Sequence, residues 1–196
     1  MDKMTREEAL TRVEVDRNLL GVDLSGVDLS GAKLVRVNFR EANLEGANLS
    51  NADLTGSEFR DAQMANANCT GAQMERAVLI GADLQGACFD RAHMVGAFLN
   101  GTHASAASFK GTDLRAARMG VPIFHSDDPF AAATSFEGAR MIWCLFGAAD
   151  LTGVDLRNAD LSHAHLYETE IRGALLDGAN LTGVRLKRQP GEYATG

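Results

Sequence analysis

The sequence predicts an all-β solenoid, and three observations of spacing lead to this fold class. Every fifth residue from 24 to 119 is aliphatic, aromatic or sulfur-bearing, with one lapse at Ala104. The same spacing returns from 136 to 186. In both runs the residue two places earlier is small or β-branched. A short repeat that extends over most of a chain is typical of a solenoid.

A period of five fits neither of the common regular structures. The face of a helix repeats near every 3.6 residues, and a half-buried strand repeats every two. One large and one small inward residue in each five therefore indicate a short wall followed by a turn. The remaining positions are mostly polar or Gly, as in Asp53-Leu54-Thr55-Gly56. Glycine accepts a positive φ at low cost, which suits a repeated corner.

Two recurring triplets, Ala-Asn-Leu and Ala-Asp-Leu, connect these repeats with a known family. They stand at 42–44, 47–49, 52–54, 82–84, 149–151, 159–161 and 179–181. The pattern resembles the pentapeptide-repeat family, whose motif is Ala-(Asp/Asn)-Leu-x-x, over residues 22–186. The resemblance implies a right-handed, four-sided β-helix in which four pentads make one coil. It also implies varied functions, because a subset of the family resembles DNA and binds DNA gyrase.

Both ends of the chain depart from the repeat. Residues 1–21 are predicted to form an N-terminal cap with a short helix at about 5–14. Thr5 and Glu8 fit a capping box at its start, and apolar residues follow at helical spacing. The helix would cover the open first coil. Residues 187–196 form a C-terminal tail without the stout helix through which gyrase-binding relatives often dimerise.

One interruption divides the β-helix of residues 22–186. Met119 and Phe136 are 17 positions apart, which is not a multiple of five. If Phe124 is one more inward residue, residues 127–133 form a seven-residue insertion and the repeats make about eight coils. Phe124 would then stack on Ala104, and a large ring would compensate for the small residue. The candidate functional residues of this loop are Asp127, Asp128, Pro129 and Phe130.

Composition excludes several classes of function. The chain has 196 residues and a formal net charge of −7, which suits one domain and disfavours nucleic acid as a direct ligand. No apolar run reaches the length of a signal peptide or of a membrane span. No Ser-His-Asp set, phosphate-binding loop or spaced metal ligands occur. We therefore expect a cytoplasmic protein that is not an enzyme and has no cofactor, no metal and no membrane partner.

Outward residues sort into four faces when they are aligned with a period of 20. On one face, apolar and aromatic side chains lie near Arg, which is the usual composition of a protein contact. The sequence thus predicts a non-enzymatic interaction or scaffold module for a protein partner of unknown identity. A weak homodimer through the same face is the other reading. This contact face comprises Val78, Ile80, Phe98, Arg118, Trp143, Leu145 and Tyr167.

A DNA-mimicking, gyrase-binding protein of the quinolone-resistance type is the alternative function. Eight coils at about 4.8 Å per strand give a rod of about 38 Å. Duplex DNA of that length carries roughly 22 negative charges, whereas this chain has a net charge of −7. The rod would therefore mimic the charge of duplex DNA only weakly. The acidic face that would carry it comprises Asp23, Glu45, Asp83, Asp150 and Glu170.

Overall fold

The described part of the protein consists of one helix followed by a β-solenoid. The computed structural model describes residues 3–122, 124 and 133–186. Within these residues the solenoid has no extended strands. Isolated parallel β-bridges recur every fifth residue and join positions 20 residues apart, as in Asp23 with Asn43 and Asn43 with Gln63. The repeat therefore stacks equivalent residues of successive coils above one another.

Backbone hydrogen bonds explain why the coils stack in this register. The Asn43 amide donates to the Val22 carbonyl of the preceding coil at 2.9 Å, and the Leu24 amide donates to the Asn43 carbonyl at 2.7 Å. At each corner the chain closes a turn, as when the Val27 amide donates to the Leu24 carbonyl at 3.0 Å. The corner residue has a left-handed backbone, with φ 62° at Gly26. The backbone amides and carbonyls of a coil with neighbours on both sides are therefore hydrogen-bonded to the coil before it and the coil after it.

Large inward side chains fill the axis of the solenoid. Nearly all of them are fully buried, and aromatic rings stack where successive coils carry Phe at the same position. The rings of Phe39 and Phe59 lie 4.9 Å apart and nearly parallel, and those of Phe89 and Phe109 lie 5.0 Å apart. Small residues such as Ala52 are equally buried beside the axis. These stacked side chains form one continuous hydrophobic core along the described coils.

The interruption changes the sequence separation of the paired residues, but the walls stay aligned. Bridges across it join residues 27 apart, as in Arg118 with Leu145, and the 20-residue interval then resumes. Phe124 is buried and meets Phe136 edge-on, with ring centroids 5.3 Å apart. The Thr134 hydroxyl oxygen lies 2.8 Å from the Ala104 carbonyl oxygen and 2.6 Å from the Phe124 carbonyl oxygen, and its single proton can be donated to either. These contacts hold the two sides of the interruption together.

Helix α1 (Arg6–Asp16) is the one helix of the described residues, and it lies where the sequence predicts a short helix. Its capping box is formed: the Thr5 amide donates to Glu8 Oε2 at 2.7 Å, and the Glu8 amide donates to Thr5 Oγ1 at 3.3 Å. Ala9 and Val13 are buried in the core. Within the described residues, no helix has both the length and the apolar character needed to cross a membrane.

Arg6 completes the cap by binding the open edge of the first coil. Its guanidinium donates to the Asp28 carbonyl at 2.6 Å and to the Ser30 carbonyl at 3.1 Å. In later coils the equivalent carbonyls accept backbone amides, as Asn48 accepts from Leu29 at 2.7 Å. The arginine therefore replaces the hydrogen bonds of a coil that is absent below. In the last described coil, by contrast, Leu186 is 65% exposed.

We expect Leu54→Ala to lower the free energy of unfolding by about 2–5 kcal/mol, because stacked coils relax little around a void. Leu54 is fully buried. Urea unfolding followed by circular dichroism measures this loss. Leu20→Ala is the matched control, because Leu20 is 42% exposed and its truncation should cost much less. Equal losses in the two variants would contradict the filled axis.

Replacing Arg6 with Ala should lower the free energy of unfolding by about 1 kcal/mol, because two carbonyls lose a charged donor. In this variant, the exchange rate of backbone amide hydrogens should rise mainly in the first two coils. Arg12→Ala, at an exposed position of α1, serves as the control for helix charge. If both variants are equally stable, Arg6 does not act as an edge cap.

Candidate functional site: an apolar wall of the solenoid

The contact face lies along one wall of the solenoid. Successive β-bridges join Val78 to Phe98, Phe98 to Arg118, and Arg118 to Leu145. All four side chains are half-buried. Ile80 lies on the same wall as Val78, because the two flank the inward residue Leu79 and side chains alternate along a strand; Tyr167 is placed in the same way one coil beyond Leu145. The structure therefore brings the predicted contact residues together in one strip.

Arg118 occupies the middle of this strip. Its guanidinium carbon lies 5.2 Å from the centroid of the Phe98 ring, in a cation–π contact. Within residues 3–122, 124 and 133–186, no carboxylate forms an ion pair with Arg118. An arginine between apolar side chains therefore keeps donors available for a partner.

Trp143 joins an aromatic cluster at the edge of the contact face. It occupies a corner position with φ 60° and is 48% exposed. Its ring stacks on His163 with centroids 4.6 Å apart, and His165 lies edge-on to it at 6.4 Å. His165 also meets Tyr167 at 5.2 Å. The two histidines extend the face, and their 20-residue and 22-residue offsets from Trp143 are the sequence signal for this contact.

The contact face lacks a local hydrogen bond that other positions of the solenoid keep. Where the outward residue is Asp or Asn, its side chain accepts the amide two residues later. Asp83 accepts from Gln85 at 3.0 Å, and Asn38, two coils before Val78, accepts from Arg40 at 3.1 Å. Valine, phenylalanine and leucine cannot form this turn. This wall therefore lacks, in successive coils, the side-chain hydrogen bond to the amide two residues later.

A family comparison accounts for the repeat. The model described as "Pentapeptide repeats" matches in 8 copies, at residues 23–61, 57–94, 89–120 and 144–183. The chain belongs to the pentapeptide repeat family. No curated protein matches it significantly.

Solved structures of pentapeptide repeat proteins are similar to this chain. QnrB1, a plasmid-mediated fluoroquinolone resistance protein, is 15% identical over 87% of this chain and 82% of its own, with a TM-score of 0.52. HetL from the cyanobacterium Nostoc sp. strain PCC 7120, involved in heterocyst differentiation regulation, is 20% identical over 92% and 96%, with a TM-score of 0.31. Rfr23 from Cyanothece 51142 is 14% identical over 92% and 99%, with a TM-score of 0.19. At these identities the likeness to QnrB1 shows the fold alone.

The acidic face of this pentapeptide repeat protein uses its carboxylates in local structure. Asp23 accepts the Ser25 amide at 3.0 Å, and this hydrogen bond lowers the pKa of Asp23. Glu170 accepts the Arg172 amide at 3.0 Å and lies 3.6 Å from the Arg172 guanidinium. Uncharged Asn43 and Gln63 lie between Asp23 and Asp83 along this wall, and His103 follows Asp83. The wall is therefore polar and mixed rather than uniformly negative.

Charges on two further walls pair with one another, some between neighbouring coils and some within one coil. Lys110 lies 3.6 Å from Glu137. Arg157 donates to both oxygens of buried Asp155, at 2.9 and 2.8 Å, and these hydrogen bonds hold the pKa of Asp155 below its usual range. The neighbouring Asp113 is held in the same way by Arg115, at 2.7 Å, and by Arg140, at 3.2 Å. These carboxylates serve the fold.

The remaining candidate groups are the loop residues, the possible metal ligands and the cysteines. Asp127, Asp128, Pro129 and Phe130 lie outside the described residues. In the described part of the chain, no group of three or more His, Cys, Asp or Glu side chains is placed to hold a metal ion. Burial raises the pKa of the Cys69 and Cys144 thiols, which disfavours the reactive thiolate.

Stability should depend on pH through Asp155. Its folded pKa is lowered from 3.8, so the stabilisation by Arg157 is present above that value and disappears as pH falls through the folded pKa. We expect Arg157→Gln to lower the urea midpoint at pH 7 and to lower it progressively less as pH falls below 3.8.

Arg172→Gln is the control for this pH dependence, because its partner Glu170 forms an exposed pair with it. Exposed pairs contribute little, so the control should change little at either pH. A deficit of Arg157→Gln that is the same at pH 7 and pH 2 would contradict the assignment.

Proposed function

We propose that this chain is a non-enzymatic interaction or scaffold module whose contact face binds a protein partner. In this proposal a right-handed, four-sided β-helix of about eight coils holds the face rigid. The observation that carries the proposal is the continuous strip of half-buried apolar side chains around Arg118. A location in the cytoplasm stays a prediction.

Two physical features support a role in binding. Exposed apolar and aromatic side chains that lie together, with arginine among them, are typical of the centre of a protein interface. Along the strip, the backbone amide and carbonyl of each bridged residue are both hydrogen-bonded to the preceding coil. The Phe98 amide donates to the Ala77 carbonyl at 3.0 Å, and the Phe98 carbonyl accepts from the Leu79 amide at 2.8 Å. A surface that is already ordered loses little conformational entropy on binding. Affinity can then come from a modest number of side chains.

Gyrase binding by DNA mimicry remains the alternative, with weaker support. The acidic face alternates with amides and a histidine, and its Glu170 is paired with Arg172. A duplex presents one phosphate charge per about 1.7 Å of its length. The carboxylates of this wall are too few and too engaged to match that density. We therefore favour the apolar wall as the functional surface.

Phe98→Asp combined with Leu145→Asp should weaken partner binding at least about tenfold, because both changes place a charge at the centre of the apolar strip. The tagged wild-type protein is used to capture partners, which are identified by mass spectrometry. Each candidate is then purified, and its binding to the wild type and the variant is measured by calorimetry. Circular dichroism verifies that the variant is folded.

Val35→Asp combined with Val95→Asp is the matched control. Both valines are half-buried residues of a different wall, so the control adds the same charge away from the contact face. Equal binding by the wild type and the Phe98/Leu145 variant would reject this face. Light scattering of the wild type decides the homodimer reading, since a dimer that this variant dissociates would assign the face to self-association.

A further inference from the structure

We infer that the segment which covers the contact face is an amphipathic helix with a carboxylate at its centre. In this complex an Asp or Glu of the partner pairs with Arg118, and apolar side chains one turn away on either side cover Phe98 and Leu145. The inference rests on the proposed function and adds the chemistry and shape of the partner.

The requirement for a carboxylate follows from the position of Arg118. Its guanidinium carries five N–H donors, and Phe98 contacts one face of its plane, 5.2 Å from the ring centroid. A cation–π contact leaves the donors at the edge of the plane unpaired. A partner that covers Phe98 and Leu145 removes water from the guanidinium between them. Burying this charge is costly unless an anionic acceptor replaces the water, and a carboxylate accepts two parallel donors.

A nucleic-acid phosphate is a poorer match than a carboxylate. The neighbours of Arg118 along the wall are Phe98 and Leu145, and Val78 follows Phe98. A phosphate backbone has no apolar groups to cover these side chains. The net charge of −7 also repels a polyanion at long range. The surface therefore favours one acid flanked by apolar residues.

The spacing of the coils selects a helix over an extended strand. Equivalent residues of neighbouring coils are about 4.8 Å apart along the axis. A helix that lies along this axis presents a side chain about every 5.4 Å, once per turn. An extended strand presents side chains on one face about every 6.8 Å. The mismatch per coil is thus about 0.6 Å for the helix and about 2 Å for the strand.

The length of the apolar strip sets the length of the helix. Val78, Phe98, Arg118 and Leu145 occupy consecutive coils, which span about 14 Å at the usual strand spacing. A helix rises about 1.5 Å per residue, so about 10 residues cover the strip. Three turns of this length carry a central acid with one apolar side chain a turn before it and one a turn after it. The cluster of Trp143 and His163 borders one side of the strip.

The test is a selection from a displayed library of 16-residue peptides with unbiased sequences, carried out against the folded full chain. Binders retained by the Phe98→Asp and Leu145→Asp variant are discarded. We expect enrichment of an Asp or Glu with apolar residues three or four positions to each side. Selection on Arg118→Glu should enrich Lys or Arg at the central position instead, whereas Arg118→Lys should retain the preference for an acid. Arg91→Glu, an exposed charge reversal on another edge of the solenoid, should change nothing.

Several outcomes would overturn the inference. Enrichment without a central acid, or an acid preference that survives Arg118→Glu, would show that Arg118 does not recognise a carboxylate. Apolar residues enriched at every second position would show that the occupant is a strand. Failure to enrich any binder that depends on the contact face would also reject the helix. In each case a partner whose binding requires Phe98 and Leu145 would leave the proposed function standing, so the two failures are distinguishable.

Discussion

Alignment of every coil with the next is the constraint on which the rest of this structure depends. The 20-residue pairing interval places large inward residues above one another and leaves equivalent outward residues in straight columns. Inward positions must fill the axis, so they vary among Leu, Phe, Met and a few others. Outward positions face no such requirement. The fold therefore separates the residues that stabilise it from the residues that are free to bind.

The outward columns differ in how far their side chains are engaged within the chain. On most walls, carboxylates and amides close turns, as Asp150 does with the Thr152 amide at 2.9 Å, or pair between coils, as Lys110 does with Glu137. These side chains are occupied within the chain. On the contact face, Val78, Phe98 and Leu145 take the outward positions and close no such turn, and Phe98 contacts the Arg118 guanidinium of the next coil through its ring. Departure from a local stabilising pattern is expected most often at functional positions, which agrees with the proposed role of this face.

Much of this organisation could be predicted from spacing alone. The period of five identified the solenoid and its inward residues, and the Thr5 and Glu8 pair located α1, which ends two residues later than expected because Arg17 adopts the left-handed cap with φ 55°. Contacts between distant side chains could not be predicted. The stack of Trp143 on His163 and the reach of Arg6 to two carbonyls depend on rotamers that a period does not specify.

Rigidity gives the single arginine of the contact face its importance. On a mobile loop, an arginine can turn toward solvent when a partner without a carboxylate arrives. Here Arg118 is fixed by backbone hydrogen bonds to Ala97 at 2.9 Å and to Leu99 at 2.7 Å, and its side chain already rests on Phe98. A partner with an apolar or basic centre must therefore bury an unpaired charge, which costs more than the apolar contacts of one coil provide. In the proposed complex, the wall that contacts apolar surface would therefore also discriminate by charge, since specificity arises as much from rejecting wrong partners as from binding the right one.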